Sequence, residues 1–423
     1  MKKKVSLYAL ALIMVSMVHA QQYNSESDFN VAPLDGGRSV EITKYVGNGR
    51  TVNIPPQIAG MSVTRIGDDA FSDNEIISVT IPNSVTTIGD YAFSYCTNLS
   101  SVTIPTSVTS IDDYAFYDCT SITSITIPAS VTYIGEFAFG NCTSLARVTL
   151  SEGVTFIGYM AFDGCTSITS ITIPASITYI GEWAFGGCTS LISITVDNNN
   201  RRYSSEGGIL YNKRKTSLIN APAAGIRGVV TIPASVTSIS SGAFMNCTGL
   251  ISITIPVGVK SIGNMAFRNC TGLTSVTIPV GVTIIGDQAF GHCTSLTSII
   301  ILARIWSIDS HLFSYCTSLT NITIPTSVRY IGDSAFQGCE KLTSIAISTS
   351  VESIGYQAFA FCRSLTSITI PTSVESIGKR AFEGWASSQI INIQGPRNQE
   401  AADTRWGWSW RSNCYARINY FGR

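Results

Sequence analysis

A 23-residue unit recurs along most of this 423-residue chain. Cys96-x-x-Leu99-x-x-Val102-x-Ile104-Pro105-x-x-Val108-x-x-Ile111 runs into Ala115-Phe116. Cys119-x-x-Ile122-x-x-Ile125-x-Ile127-Pro128-x-x-Val131-x-x-Ile134-Gly135 then runs into Ala138-Phe139. The spacing holds from Cys96 through Cys119, Cys142, Cys165 and Cys188, and again from Cys247 through Cys270, Cys293, Cys316, Cys339 and Cys362. A fixed period in the twenties, with Leu or Ile recurring at short offsets, implies a solenoid of stacked leucine-rich coils. A solenoid has no single core to outgrow, so the length does not imply two or three globular domains. The pattern argues against most compact enzyme folds and for a long recognition surface.

Within each unit the Ile-x-Ile alternation predicts a short strand, stacked in parallel on its equivalents. Proline follows in most units, as at Pro82, Pro105, Pro128, Pro174 and Pro233, and ends that strand. The Val-x-x-Ile-Gly segment is expected to be a second short extended stretch, and the segment before Ala-Phe a brief helical turn with Phe inward. Thirteen units are counted on the Ala-Phe column, from Phe71 to Phe382. At about 4.8 Å per coil they would form a rod or arc roughly 60–70 Å long. The expected fold is thus a β-rich solenoid with short parallel strands and short helical turns, capped at both ends.

The expected boundaries are a signal peptide over 1–20, a tail and β cap over 21–60, the solenoid over 61–385 and a C-terminal cap over 386–423. Lys2, Lys3 and Lys4 precede an apolar stretch from Val5 to Val18, and Ala20 suits cleavage before Gln21. The protein is therefore expected to be secreted or held at a cell surface, with no membrane span in the mature chain. Phe185 and Phe244 are 59 residues apart, one period plus 36. The surplus falls at about 197–228 and reads as a β-hairpin with a basic turn, projecting from the stack. The unit at 299–313 is the least regular, with Leu302, Arg304 and Trp306 at unusual places. Past Phe382 the three tryptophans Trp406, Trp408 and Trp410 are expected to seal the last coil or to form a ligand platform.

Eleven of the twelve cysteines occupy one repeat column. Stacked coils project equivalent side chains in parallel, poor geometry for a bridge, so a buried ladder of free thiols is expected. No histidine column joins them, and no metal or cofactor is expected. His292 beside Cys293 is not read as a catalytic pair, because neighbours in an extended chain point apart. No phosphate loop, zinc motif or calcium loop occurs, and the expectation is a non-enzyme. Lys+Arg and Asp+Glu are both 27, and charged residues make up only 13%. That balance excludes a nucleic-acid binder driven by charge.

The repeated Cys-x-x-Leu-x-x-Ile-x-Ile-Pro-x-x-Val-x-x-Ile-Gly-x-x-Ala-Phe motif resembles the BspA-like, or treponemal-type, leucine-rich repeats of bacterial surface antigens, over about residues 50 to 385. The inserted segment from Tyr203 to Lys213 is similar to an element such proteins often carry. The resemblance implies an exported protein for adhesion or protein–protein interaction, with host extracellular-matrix or plasma proteins as expected partners. A self-associating scaffold without a host ligand is the alternative. The family implies no catalytic residues.

Residues at one repeat position form stripes along a solenoid. The position between the two isoleucines is mostly threonine, from Thr103 to Thr369, which suits an exposed sheet. Another stripe turns aromatic at Tyr133, Phe156 and Tyr179, and a third reads Tyr91, Tyr114, Phe137, Met160 and Trp183, its last three members lying on the same coils as those three. Aromatics concentrated on consecutive coils suggest a protein-binding patch with outward side chains, and these six residues are its expected members.

Overall fold

The computed structural model describes residues 23–422, so the expected signal peptide lies outside the described residues. Each coil carries a strand such as Ser124–Ile127 and a two-residue strand such as Tyr133–Ile134. Both pair in parallel with their equivalents one period on, Ile125 with Val148 and Tyr133 with Phe156. In Ser124–Ile127 the isoleucines are buried and the hydroxyl residues exposed, because alternate side chains of a strand leave on opposite faces. Stacking the coils therefore lines up two faces of parallel strands, each a sheet interrupted in places, with an apolar interior between them.

The turn segment of each coil adds a third ladder. The amides of Tyr91, Phe93 and Tyr95 donate to the carbonyls of Asp113, Ala115 and Tyr117 in the next coil, at 2.9, 2.7 and 2.7 Å. The brief helical turn expected here takes the form of consecutive i→i+3 turns, such as Ala92 to Gly89 and Cys96 to Phe93. Tyr114 (φ 57°) and Asp118 (φ 59°) lie in the left-handed region, which stops the turns from winding into a helix. Such conformations cost about 1–3 kcal/mol each and persist when the surroundings over-determine them, as the inter-coil bonds do here. The glycine that follows the Ile of the two-residue strand in most coils has a steric origin. A Cβ on Gly158 would stand 2.5 Å from the carbonyl carbon of Gly135.

Two ladders fill the interior. The phenylalanine rings stack from Phe71 to Phe185 at centroid distances of 4.9, 5.1, 5.2, 5.3 and 6.0 Å. They stack again from Phe244 to Phe382. All eleven column cysteines are free and buried. Each thiol from Cys119 to Cys188 donates to the Phe carbonyl of the preceding coil at 3.0–3.3 Å. Burial pushes Cys96 up to about 11 and Cys316 and Cys362 up to about 12.

The ends depart from the repeat. Strands Phe29–Leu34 and Ser39–Tyr45 pair antiparallel, and the second pairs in parallel with Met61–Ile66. Tyr45 stacks on Phe71 at 5.2 Å and so begins the ring ladder. At the far end Trp385 stands where a cysteine would, its indole N–H donating to the Phe359 carbonyl at 2.9 Å. Trp410 meets Phe382 edge-on at 6.1 Å. Trp406 and Trp410 are buried, as sealing residues are expected to be, while Trp408 is exposed. The helix Gln399–Trp406 is capped by Asn398, whose side chain accepts from the Ala401 amide. Strand Arg417–Tyr420 then pairs in parallel with Ile390–Ile393.

The insertion does not project. Tyr203–Glu206, Ile209–Asn212 and Ser217–Asn220 form an antiparallel meander whose last strand rejoins the second sheet beside Ser238–Ile239. Alternation on its middle strand splits the core. Leu210 packs with the N-terminal cluster, whereas Ile209 and Tyr211 pack with the C-terminal one. Asn200, fully buried, fastens the segment to the preceding coil. Its amide donates to the carbonyls of Pro174 and Ile177, and its oxygen accepts from the amides of Arg202 and Tyr203. A hairpin reading of the sequence sees the turns but not the burial of the strands between them.

Candidate interaction surface

The six residues expected to form a patch fall into two places. Tyr133, Phe156 and Tyr179 are in register on successive strands, and their rings stack at 5.0 and 4.6 Å. Tyr179 is 48% exposed, and Tyr133 and Phe156 are half-buried. Their outward placement is therefore partial, because each ring lies on the next. Phe137 stacks on Tyr114 at 4.8 Å, and Tyr114 on Tyr91 at 4.6 Å. Met160, also half-buried, follows in that column. Trp183 belongs to the seam with the insertion. Gly242 there is left-handed (φ 64°), and a Cβ on it would stand 2.7 Å from the Trp183 ring.

The second aromatic column is larger than the sequence suggests. Tyr117 meets Tyr114 edge-on at 5.4 Å, Tyr95 meets Tyr117 at 5.6 Å, and Tyr159 meets Phe137 at 5.7 Å. Tyr91, Tyr95 and Tyr159 are exposed. Left-handed backbone at Tyr91, Tyr114 and Phe137 carries these side chains away from the interior. No residue propensity signals that conformation for an aromatic side chain, although the Asp, Asn and Gly at the second left-handed position of many coils could have done so.

An acidic column runs between the two aromatic ones. The Asp113 carboxylate accepts from the Glu136 amide at 2.7 Å and from the Tyr133 hydroxyl at 3.4 Å. Burial first, and the Asp113 charge second, push Tyr133 up to about 12. Asp90 is raised by burial and by neighbouring carboxylates. Stacking has a chemical consequence. The ring faces cover one another, so a partner meets ring edges, hydroxyls and carboxylates rather than open aromatic faces.

Other features do no comparable work. The Cys293 thiol donates inward to the Phe267 carbonyl at 3.2 Å, while the His292 ring stacks on Tyr315 at 4.9 Å, so the adjacent pair is not a dyad. Among the described residues no group of three or more His, Cys, Asp or Glu is placed to hold a metal ion. No helix among them is long and apolar enough to cross a membrane. The sequence also conceals exposed apolar residues in the second half. Val257, Val280, Ile284, Ile300, Leu302 and Trp306 all face solvent. Valine and isoleucine fill so many interior positions that only the geometry separates these.

A model of the BspA type leucine rich repeat region matches residues 64–192, 109–222, 228–339 and 283–402. A leucine-rich repeat protein from Eubacterium ventriosum is 30% identical, with a TM-score of 0.70 over 86% of this chain and 94% of its own. A leucine rich cell surface protein from Faecalibacterium prausnitzii is 32% identical, with a TM-score of 0.63 over 82% of this chain and 94% of its own. The pneumococcal vaccine antigen PcpA shares the fold at 21% identity, with a TM-score of 0.66 over 93% of this chain and 97% of its own. The chain matches no curated protein sequence.

Proposed function

Because this chain belongs to the BspA-type leucine-rich repeat family, we propose that it is a secreted or surface-held binding protein that engages a protein partner through its N-terminal aromatic columns. The observation that carries the reading is the run of stacked, partly exposed rings on consecutive coils, from Tyr91 and Tyr95 to Tyr179. Tyrosine-rich clusters supply large contact area from side chains that are already ordered, so little entropy is lost on binding. The carboxylates of Asp113 and Glu136 between the columns favour a partner face bearing Lys or Arg. Host extracellular-matrix and plasma proteins are the partners proposed, and the chemistry asked of the surface is recognition rather than catalysis.

The test is saturable binding of the protein to immobilised matrix and plasma proteins. Phe156→Ser combined with Tyr179→Ser is expected to weaken that binding by at least tenfold, with thermal unfolding shifted by only a few degrees. Unchanged binding at unchanged stability would refute this site. Concentration-dependent assembly in the absence of any captured protein would support the self-associating scaffold instead.

A further inference from the structure

The coils at 251–308 break the repeat in a concerted way on the corner where the two sheets meet. Ile300 replaces the usual Thr, Leu302 the usual Pro, and Trp306 the Thr of most coils, and all three are exposed, at 56, 54 and 58%. Val257 and Val280, 72 and 67% exposed, stand where other coils carry Asn83, Thr106, Ala129 or Thr326. None of these five side chains is needed by the interior, which Ile255, Ile278 and Ile305 fill beside them. Large apolar groups grouped on a surface whose repeat prescribes hydroxyls mark an interaction site.

The shape and charge of this corner narrow its occupant. A groove of about 460 Å³, lined by Thr254, Thr277, Val257, Pro279, Val280 and Leu302, runs across the coils. That volume lies within the range of about 300–1,000 Å³ typical of ligand clefts. A groove admits side chains from a narrow segment, whereas a bilayer needs a protruding apolar surface. The corner segments 251–262, 274–285 and 297–308 contain Lys260 and Arg304 and no acidic residue. Among the described residues neither cation takes part in an ion pair, while Arg329 on the next coil is held by Glu352. The outward hydroxyls of Thr254 and Thr277 on the floor can bond to an extended backbone.

We propose that this corner binds an extended segment of a partner protein that carries aliphatic side chains flanked by Asp or Glu. Alternate side chains of such a segment enter the groove, and its acidic flanks meet Lys260 and Arg304. The site is separate from the aromatic columns and opposite to them in charge.

The probe is a dye-labelled, end-blocked peptide in which alternating leucines and serines are flanked on each side by aspartates, followed by fluorescence anisotropy on the full-length protein. Saturable binding that weakens with added salt is expected. Leu302→Thr with Val280→Thr, and separately Lys260→Glu with Arg304→Glu, should each weaken it at least tenfold. Because all four side chains are exposed, the unfolding midpoint should hold. Phe156→Ser with Tyr179→Ser should leave peptide binding intact, which keeps this site distinguishable from the aromatic one. Absence of binding, equal binding of a lysine-flanked control, or wild-type affinity in both variants overturns the proposal. So does sedimentation with phosphatidylserine vesicles that depends on these residues when the peptide does not bind.

Discussion

Each column cysteine combines a small buried volume with a donor aimed at the carbonyl of the coil before it, and the chemistry of the thiol follows from that position. With a pKa near 12, Cys316 or Cys362 is ionised to on the order of one part in ten thousand at pH 8. Native protein treated with iodoacetamide at that pH should therefore be labelled first at half-buried Cys414, and at all twelve thiols only after denaturation. Mass mapping of the labelled sites checks this. Cys316→Ala should cost about 1–3 kcal/mol in chemical denaturation, from a small cavity and the loss of one of the two hydrogen bonds to the Phe290 carbonyl, which keeps the Cys293 amide. Serine should not rescue it, because its shorter side-chain bond leaves the hydroxyl short of the Phe290 carbonyl that the thiol reaches at 3.2 Å. Asp163 poses the opposite problem. Burial raises its pKa, so its ionisation is disfavoured in the folded protein. That penalty is complete above the folded pKa and absent below the unfolded one, near 4. Asp163→Asn should thus raise the melting temperature at pH 7, with the gain shrinking as the pH falls through the carboxylate range. A gain independent of pH would show that the charge is not its cause.

Among the elements, the insertion is the one whose local sequence and tertiary role diverge most. Asn200→Ala should cost about 2–4 kcal/mol, since it removes the partner of the Ile177 carbonyl and of the Arg202 and Tyr203 amides and one of the two donors to the Pro174 carbonyl. Faster hydrogen exchange or proteolysis confined to 197–228 would accompany it, and uniform loosening of all coils would contradict this account. The coil interior is legible from sequence because two strict periods coincide there. Alternation fixes which of Ser124 to Ile127 face inward, and the 23-residue offset fixes what Phe139 stacks on. The turn ladder is not legible, since Tyr114 and Phe137 carry no mark of a left-handed backbone. Nor is the meander, where Leu210 serves one half of the core and its neighbours the other. The exposed set was half visible. Stripes of Tyr133, Phe156 and Tyr179 announce themselves, but Tyr117 joins its neighbours only through the curl of the turn, and Val280 looks like any other valine.

Across the whole molecule the meander divides one stack into two. The second sheet stops at Tyr179–Ile180 and resumes with the last strand of the meander, Ser217–Asn220, and the ring ladder breaks between Phe185 and Phe244, with small Ala221 in the gap. In a stack whose stability is a sum of coil and nearest-neighbour terms, such a weak interface separates cooperative units. Urea denaturation is expected to show two transitions. Chemical shifts or exchange rates should assign one to residues before 197 and the other to those after 228. A single transition with coincident probes would mean that Asn200 and the meander couple the halves fully.

Every thiol that reaches back one coil, and no farther, makes the length of this protein a variable. Removing residues 120–142 would join Cys119 to Thr143 and leave every remaining partner at its former offset. The shortened chain should fold with one coil fewer. The two ends do not share this freedom, since Tyr45 and Trp385 each have a coil on one side only. Variation in size among such proteins is therefore expected to come in whole turns taken from the middle, so that a lineage could change the distance between its binding surfaces while leaving the surfaces themselves alone.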